Sequence, residues 1–517
     1  MEYVTSRRAR AVASCLTGGV NLAQVIERHP DDAVALVAHG RHTTYGELRD
    51  QVTRLRSGLA GLGLGPEDRV ALVAANNRLF VVGYLAVLGL GAVAVPLNPL
   101  SPPPEIQREL AGVDARAVVV GPAAARTTAH LDRSALPGLE HVIAPLGVDV
   151  KGAVSLHDLD TGNAAPVAER GADDVAVLVF TSGTAGPPRA AMLTHGNLLA
   201  NIDQVQSAPG GQVASDIVLG VLPMFHIYGL NMVLGLSMAV GSRVVLVERF
   251  DPYTTLETVS TEGVTIIAGV PAMWTAWASL PGPLPGSFSS VRLATSGAAP
   301  LDPLVRRTVR ERFDLAVTEG YGLTEASPAV TSGLGVDAPD GSIGVPLPDI
   351  QLRLVDAATG DDALIGDPGE IWVRGPNVFA GYWSDPEATA TALTPDGWLR
   401  TGDVGVVDDR GFLFLVDRAK DVIIVSGFNV YPAEVEEILV THPGIAQAAV
   451  VGVPHPHSGE AVTAHVVPVP DGDDLDEDDV IAFCAQRLAR YKCPDKVVVV
   501  EQLPHGPAGK LLRRAVH

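Results

Sequence analysis

The chain has 517 residues, enough for three or four structural units, because single hydrophobic cores stop growing near about 250–300 residues. Hydrophobic residues make up 47% and charged ones 19%, which excludes a disordered chain, and the net charge of −22 excludes a general affinity for nucleic acid or anionic lipid. Three cysteines (Cys15, Cys484, Cys493) form neither a metal spacing nor a disulfide framework, which points to a reducing, cytoplasmic setting.

The start carries a twin arginine without a following apolar stretch of secretory length, so no signal peptide is expected. The uncharged stretch from Leu79 to Leu97 is long enough for a membrane span, but three glycines and Pro96 interrupt it. A buried helix followed by a buried strand is the expected reading, and no transmembrane segment is predicted. Short runs such as "DRVALVAA", "DIVLGVLP", "SRVVLVERF" and "VTIIAGVP" are apolar throughout, as in strands buried on both faces of a parallel sheet. The predicted class is therefore α/β, with doubly wound sheets in a large N-terminal domain.

After about Gly369 the pattern turns to alternating strands and turns ("GEIWVRG", "GFLFLVDR"), which predicts an antiparallel, β-barrel-like subdomain. Beyond "VDRAKD" a helix opens at Pro432, two strands follow, and "DVIAFCAQRLARYKCP" reads as a last helix. The expected division is a large domain over 1–416, a hinge at 417–420 and a small, mobile α+β domain over 421–517. The acidic run "DGDDLDEDD" reads as a solvated loop that places carboxylates at a helix N-terminus, not as a metal tract.

The loop "TSGTAGPPR" (181–189) combines what a phosphate requires: hydroxyls, glycines with freely approachable N–H groups, and a cation, Arg189. It lacks the Walker spacing, and the glycines of "GLGLGPEDRV" precede a strand where a dinucleotide fingerprint would follow one. Six further motifs follow in order: "LPMFHIYG", "TSGAAP", "EGYGLTE", "RTGD", "DRAKDVIIVSGFNVYP" and "GPAGKLLRR". Together with the loop they resemble the adenylate-forming superfamily, which includes acyl-CoA synthetases, aryl-CoA ligases, luciferases and peptide-synthetase adenylation domains. The resemblance runs from about residue 40 to the end of the sequence.

It implies an enzyme that uses ATP and Mg2+ to activate a carboxylic acid as an acyl-adenylate, then passes the acyl group to CoA. The implied phosphate grip is Thr181, Ser182, Gly183, Thr184, Gly186 and Arg189; the implied Mg2+ site is Thr181 with Glu325. Thr324 would meet the α-phosphate. Gly297, Ala298 and Ala299 would line the adenine, with Glu319, Gly320, Tyr321 and Gly322 beside it. Asp403 would accept from the ribose hydroxyls, with Arg418 approaching from the small domain and Lys420 acting as hinge. Ser426, Gly427 and Phe428 would border CoA access.

Only five of the 37 basic residues are lysines, and Lys510 falls at the family's adenylating position. A compact ammonium there can bridge the carboxylate and the α-phosphate. His226 stands where amino-acid-activating relatives carry an aspartate, so an amino-acid substrate is disfavoured. His226, Tyr228 and Trp274 are the expected acyl-pocket residues, Trp274 by likeness to a gating tryptophan of long-chain enzymes. A medium- or long-chain fatty acid is the expected substrate, with an aryl acid of the 4-coumarate type or a carrier-protein acceptor as alternatives. A homodimer is compatible with these readings.

Overall fold

The computed structural model describes residues 20–159, 164–181, 188–282, 286–356, 359–418, 423–430, 432–469 and 475–503. Two large sheets form the N-terminal part. In the first, strands Val154–Ser155, His141–Ala144, Ala117–Val120, Arg69–Val73, Val93–Leu97 and Val175–Thr181 lie parallel in that spatial order, and Arg189–Thr194 closes the edge antiparallel. The second has nine strands. Its parallel centre runs Val317–Gly322, Leu293–Ser296, Ile266–Gly269, Ile217–Gly220, Arg243–Leu246 and Val34–Ala38, with antiparallel strands at both edges.

The apolar stretch at 79–97 is resolved as expected. Helix Arg78–Gly89, capped by the Asn77 side chain, is buried along almost its whole length, and strand Val93–Leu97 follows it. Its residues share one core with Leu36 and Val244 of the nine-stranded sheet and Val70 and Leu72 of the seven-stranded sheet. A helix apolar on every side fits such a position between two sheets. Among the described residues no helix is long and apolar enough to cross a membrane.

The antiparallel unit begins earlier than its sequence pattern suggests. Strand Gln351–Val355 already pairs with Gly369–Arg374, and Leu399–Val407 and Leu413–Arg418 complete a four-stranded sheet whose hydrogen bonding runs in open order. The C-terminal part is a five-stranded mixed sheet, in which Ile445–His455 and Gly459–Pro468 form a long antiparallel pair. Helices Pro432–Leu439 and Glu477–Ala485 pack with it around Val435, Leu439, Val480 and Cys484.

Candidate active site

Strand Val175–Thr181 of the seven-stranded sheet and strands Leu293–Ser296 and Val317–Gly322 of the nine-stranded sheet end at one cavity of about 710 Å³. That is where open α/β sheets bind ligands, because strand ends leave backbone donors and loops unpaired. Thr181 ends its strand there, and its Oγ1 is buried without a hydrogen-bond partner among the described residues. Ser182, Gly183, Thr184 and Gly186 lie outside the described residues, as do Lys420 and Lys510. Arg189 opens the returning strand; its Nε donates to Asp385 across 2.9 Å and its guanidinium lies 5.8 Å from the Tyr382 ring centre. The Ala388 amide, and then Arg189, hold the Asp385 carboxyl below the usual carboxylate range.

Strand Leu293–Ser296 runs into the turn Gly297-Ala298-Ala299, where Ala298 adopts φ +69°, a left-handed conformation uncommon for a residue with a β-carbon. A β-carbon at Gly297 would come within 3.0 Å of the Tyr228 ring, so any larger residue would have to displace that ring. Strand Val317–Gly322 brings Glu319, Gly320, Tyr321 and Gly322 to the opposite wall. The Glu319 carboxylate pairs with Arg306 and accepts from the Leu301 amide at 2.8 Å, so it anchors helix Pro303–Phe313 and its side chain is committed to that helix. The Tyr321 hydroxyl donates to Asp403 across 2.7 Å. Asp403 lies directly opposite Arg418 in the antiparallel register, the alignment that a two-sided ribose contact requires.

Thr324 and Glu325 occupy a short 3-10 turn, Thr324–Ala326, that follows the strand. The Tyr382 hydroxyl donates to Glu325 Oε1 at 2.7 Å and fixes that carboxylate at the cavity wall. The orphaned Thr181 hydroxyl and the Glu325 carboxylate are hard oxygen donors on one cavity, and they fit a magnesium ion. Among the described residues no group of three or more His, Cys, Asp or Glu is placed to hold a metal. A magnesium ion would therefore complete its shell with phosphate oxygens and water.

On the far side, His226 lines the cavity, half-buried, and loss of hydration pushes its imidazole down to about 4. Its Nδ1 accepts from the Tyr228 amide at 3.2 Å, which leaves the proton on Nε2. The Tyr228 hydroxyl bonds the Thr295 hydroxyl at 3.2 Å, and Met232, Leu236, Ile266 and Leu334 supply apolar wall. Trp274 does not reach this wall. It is fully buried in the core, with its ring edge-on to Trp277 at 5.3 Å and packed against Gly269. The expected gate is thus a core aromatic, because helix Pro271–Ala278 turns that face inward.

The mouth is shared with the C-terminal part. Ser426 and Gly427 form a left-handed turn (φ +52° and +84°) between strands Ile423–Val425 and Phe428–Val430. Gly427 backs against Val270, where a β-carbon would meet the side chain at 2.9 Å. Of these three residues Phe428 lines the cavity; it stacks on Tyr491 (4.4 Å) and faces Phe225 (6.3 Å). Tyr382 and Tyr491 are site residues outside the motifs, and Thr295 opens "TSGAAP" without having been given a role. Tyr382 sits in "GYW", which carries no chemical signal by itself, and Tyr491 joins the site through a contact between distant segments.

A cavity with a polar wall, an apolar wall and a mouth to which the C-terminal unit contributes fits an adenylate-forming enzyme. The chain belongs to the AMP-binding enzyme family: that family matches residues 22–383, and the AMP-binding enzyme C-terminal domain matches 434–510. It is 39% identical over 488 residues to a feruloyl-CoA synthase from Amycolatopsis sp, covering 94% of this chain and 95% of that protein. A long-chain-fatty-acid–CoA ligase from Bacillus subtilis (strain 168) is 33% identical over 512 residues, covering 93% and 91%. The solved structure of the amide bond synthetase McbA from Marinactinospora thermotolerans superposes with a TM-score of 0.84 at 32% identity, covering 96% of this chain and 99% of that one.

Proposed function

We propose that this acid–thiol ligase joins an arylpropenoic acid of the ferulate or coumarate kind to CoA, using ATP. The observation that carries the reading is the acid wall: an apolar stretch that carries the Tyr228–Thr295 hydroxyl pair beside His226. A phenolic ring fits against such a stretch, with its hydroxyl able to join that pair. The 39% identity to a feruloyl-CoA synthase agrees with it. With Trp274 in the core, the residue on which a long acyl tunnel leaned is absent from the wall. A medium- or long-chain fatty acid is the second reading, favoured by the aliphatic lining of Met232, Leu236, Ile266 and Leu334.

In the first half-reaction a carboxylate oxygen attacks the α-phosphorus, the bond to pyrophosphate breaks, and an acyl-adenylate forms. Two anions meet, so charge neutralisation dominates the barrier. Thr181, Arg189 and the 182–186 segment grip the β- and γ-phosphates in this scheme. Thr181 and Glu325 would hold Mg2+, which when bound would neutralise phosphate charge. Thr324 bonds the α-phosphate, Tyr321 lies against the adenine, and Asp403 with Arg418 takes the ribose. Lys510 bridges carboxylate and α-phosphate. In the second half-reaction the CoA sulfur attacks the acyl carbon, AMP leaves, and the thiol proton passes to solvent. The unit beyond the 417–420 hinge turns between the two steps, and the Ser426–Phe428 turn borders the thiol's path.

The test is mass spectrometry of products after incubation with ATP, Mg2+ and acids from acetate to palmitate, malonate, benzoate, coumarate and ferulate, with and without CoA. Feruloyl- or coumaroyl-CoA as the dominant product is expected. Palmitoyl-CoA as the dominant product would transfer the reading to fatty acids. Acyl-adenylate that persists when CoA is added would remove CoA as acceptor and point to a carrier protein.

A further inference from the structure

Helix Pro103–Gly112 begins with two prolines and carries Glu105 in its first turn and Glu109 one turn later, both buried. Carboxylates are rarely buried unless they are paired. Glu105 finds its partners 384 and 387 residues away, in the C-terminal unit. One of its oxygens accepts the Ala489 amide at 2.7 Å and the other the Lys492 ammonium at 2.8 Å. A single side chain of the large unit therefore grips both ends of the short turn Arg490–Lys492. Lys492 also donates to Glu434 of helix Pro432–Leu439 at 3.0 Å. Tyr491, between the gripped ends, lines the cavity and stacks on Phe428, which faces Phe225.

We propose that Glu105 and Lys492 are positioning residues for thiol transfer: their buried pair docks the C-terminal unit in the arrangement that sets Tyr491 and Phe428 at the cavity mouth. This rests on the two-step ligase reading above. A buried ion pair adds little net stability compared with apolar contacts, yet it is costly to leave half-made, so it favours one docked arrangement over near alternatives. When the units separate, both charges return to water.

The surroundings sharpen this. Arg108 and Glu109 face the pair from the first helix, and Glu434 faces it from the second. Arg490, Tyr491, Cys493 and Asp495 belong to the gripped segment. Burial, and then Glu105, push the Glu109 carboxyl up to about 8, so near neutrality it keeps its proton. Burial works against the charge on Lys492, and Tyr491, Glu105 and Glu434 together outweigh it. At the pair itself one ammonium then faces two carboxylates.

Glu105→Gln, Lys492→Met and the double variant are compared in three measurements. These are pyrophosphate release with acid and ATP but no CoA, single-turnover conversion of preformed acyl-adenylate by CoA, and hydrogen exchange over residues 488–493. We expect pyrophosphate release to stay within about twofold and thiol transfer to fall at least about tenfold. The double variant should be no worse than the worse single one, because both act through one pair. Exchange over 488–493 should accelerate at least about tenfold in Glu105→Gln, with strand Gly459–Pro468 unchanged. Equal loss of both half-reactions overturns the proposal, and so does unchanged thiol transfer. If the wild-type enzyme makes acyl-adenylate but no CoA thioester, the acceptor reading fails separately. The exchange measurement then decides the docking role: lost protection supports it, and retained protection overturns it.

Discussion

The Tyr321 hydroxyl donates to Asp403 Oδ2 across 2.7 Å, and so ties the end of a parallel strand to the middle of the antiparallel sheet. Two units of opposite architecture are held in register at the point proposed to take the ribose. Tyr321→Phe should leave kcat nearly unchanged and raise KM for ATP about fivefold, the effect of one lost hydrogen bond near ~1 kcal/mol. Asp403→Ala should cost at least ~10-fold in kcat/KM, because a charged acceptor is removed. Steady-state kinetics with ATP varied would check both; an effect on the acid's KM alone would refute the assignment.

Tyr382 fixes Glu325 from outside the motif that contains it. Orienting partners of a metal ligand typically cost ~10–100-fold in metal affinity when removed. Tyr382→Phe should therefore raise the Mg2+ concentration for half-maximal adenylation by about tenfold, with saturated activity largely recovered. A magnesium titration of pyrophosphate release measures this, and an unchanged midpoint would count against Glu325 as a ligand.

His226 and His195 are both pushed down to about 4 by burial. His195 accepts from the Leu22 amide at 3.0 Å in the core, so both imidazoles are held neutral in the fold. In the unfolded chain each takes up a proton near 6.5, so between 6.5 and about 4 the unfolded state binds more protons. Stability should then fall as pH drops through that window, by up to about 1.4 kcal/mol per pH unit for each histidine. His226→Asn should flatten the slope of unfolding midpoints by about half. A slope identical to wild type would show that His226 is charged in the fold.

Glu109 carries the opposite sign. Its carboxyl is raised from 4.5 to about 8 where the two units meet, so the docked form binds the proton more tightly than the separated form. Docking should weaken as pH rises from about 4.5 to about 8 and then level off. Expressed as a variant-to-wild-type ratio, which cancels the ionisation of CoA itself, thiol transfer by Glu109→Gln should rise several-fold between pH 6 and 8. A flat ratio would separate Glu109 from docking.

Lys510 and Lys420 rest on the family resemblance. Lys510→Ala should reduce adenylation by at least ~10² while sparing conversion of supplied acyl-adenylate. Lys420→Pro should reverse the pattern, harming thiol transfer more than adenylation. Parallel assays of the two half-reactions decide both.

Much of this site was legible because its residues sit in short segments whose chemistry is local. Thr181, Tyr321 and Glu325 each lie at or just past the end of a strand, and a strand end is readable from an apolar run that stops at hydroxyls and glycines; Asp403 lies mid-strand and was legible from its "RTGD" motif alone. The grip of Glu105 on Lys492 was not legible, since neither "PPPEIQREL" nor "ARYKCP" contains a sign that the two meet. Glu319 read as a nucleotide residue because its neighbours are, but Arg306 captures its carboxylate. Trp274 failed for a related reason: helical position decides which way a ring points, and a motif does not encode it. The early strand Gln351–Val355 was missed because its alternation is only five residues long and runs straight into the turn-forming "DAATGDD".

Gly297 stands in one cavity between the Tyr228 ring and the wall formed by Tyr321. On one side its turn borders the space proposed for the purine, and on the other a β-carbon would come within 3.0 Å of the Tyr228 ring. Any drift in acid preference that enlarges or rotates Tyr228 therefore presses on the turn shared with the nucleotide. Diversification of substrate in such a scaffold is steered towards the aliphatic position Leu236, where the wall backs onto packed interior and not onto the second ligand.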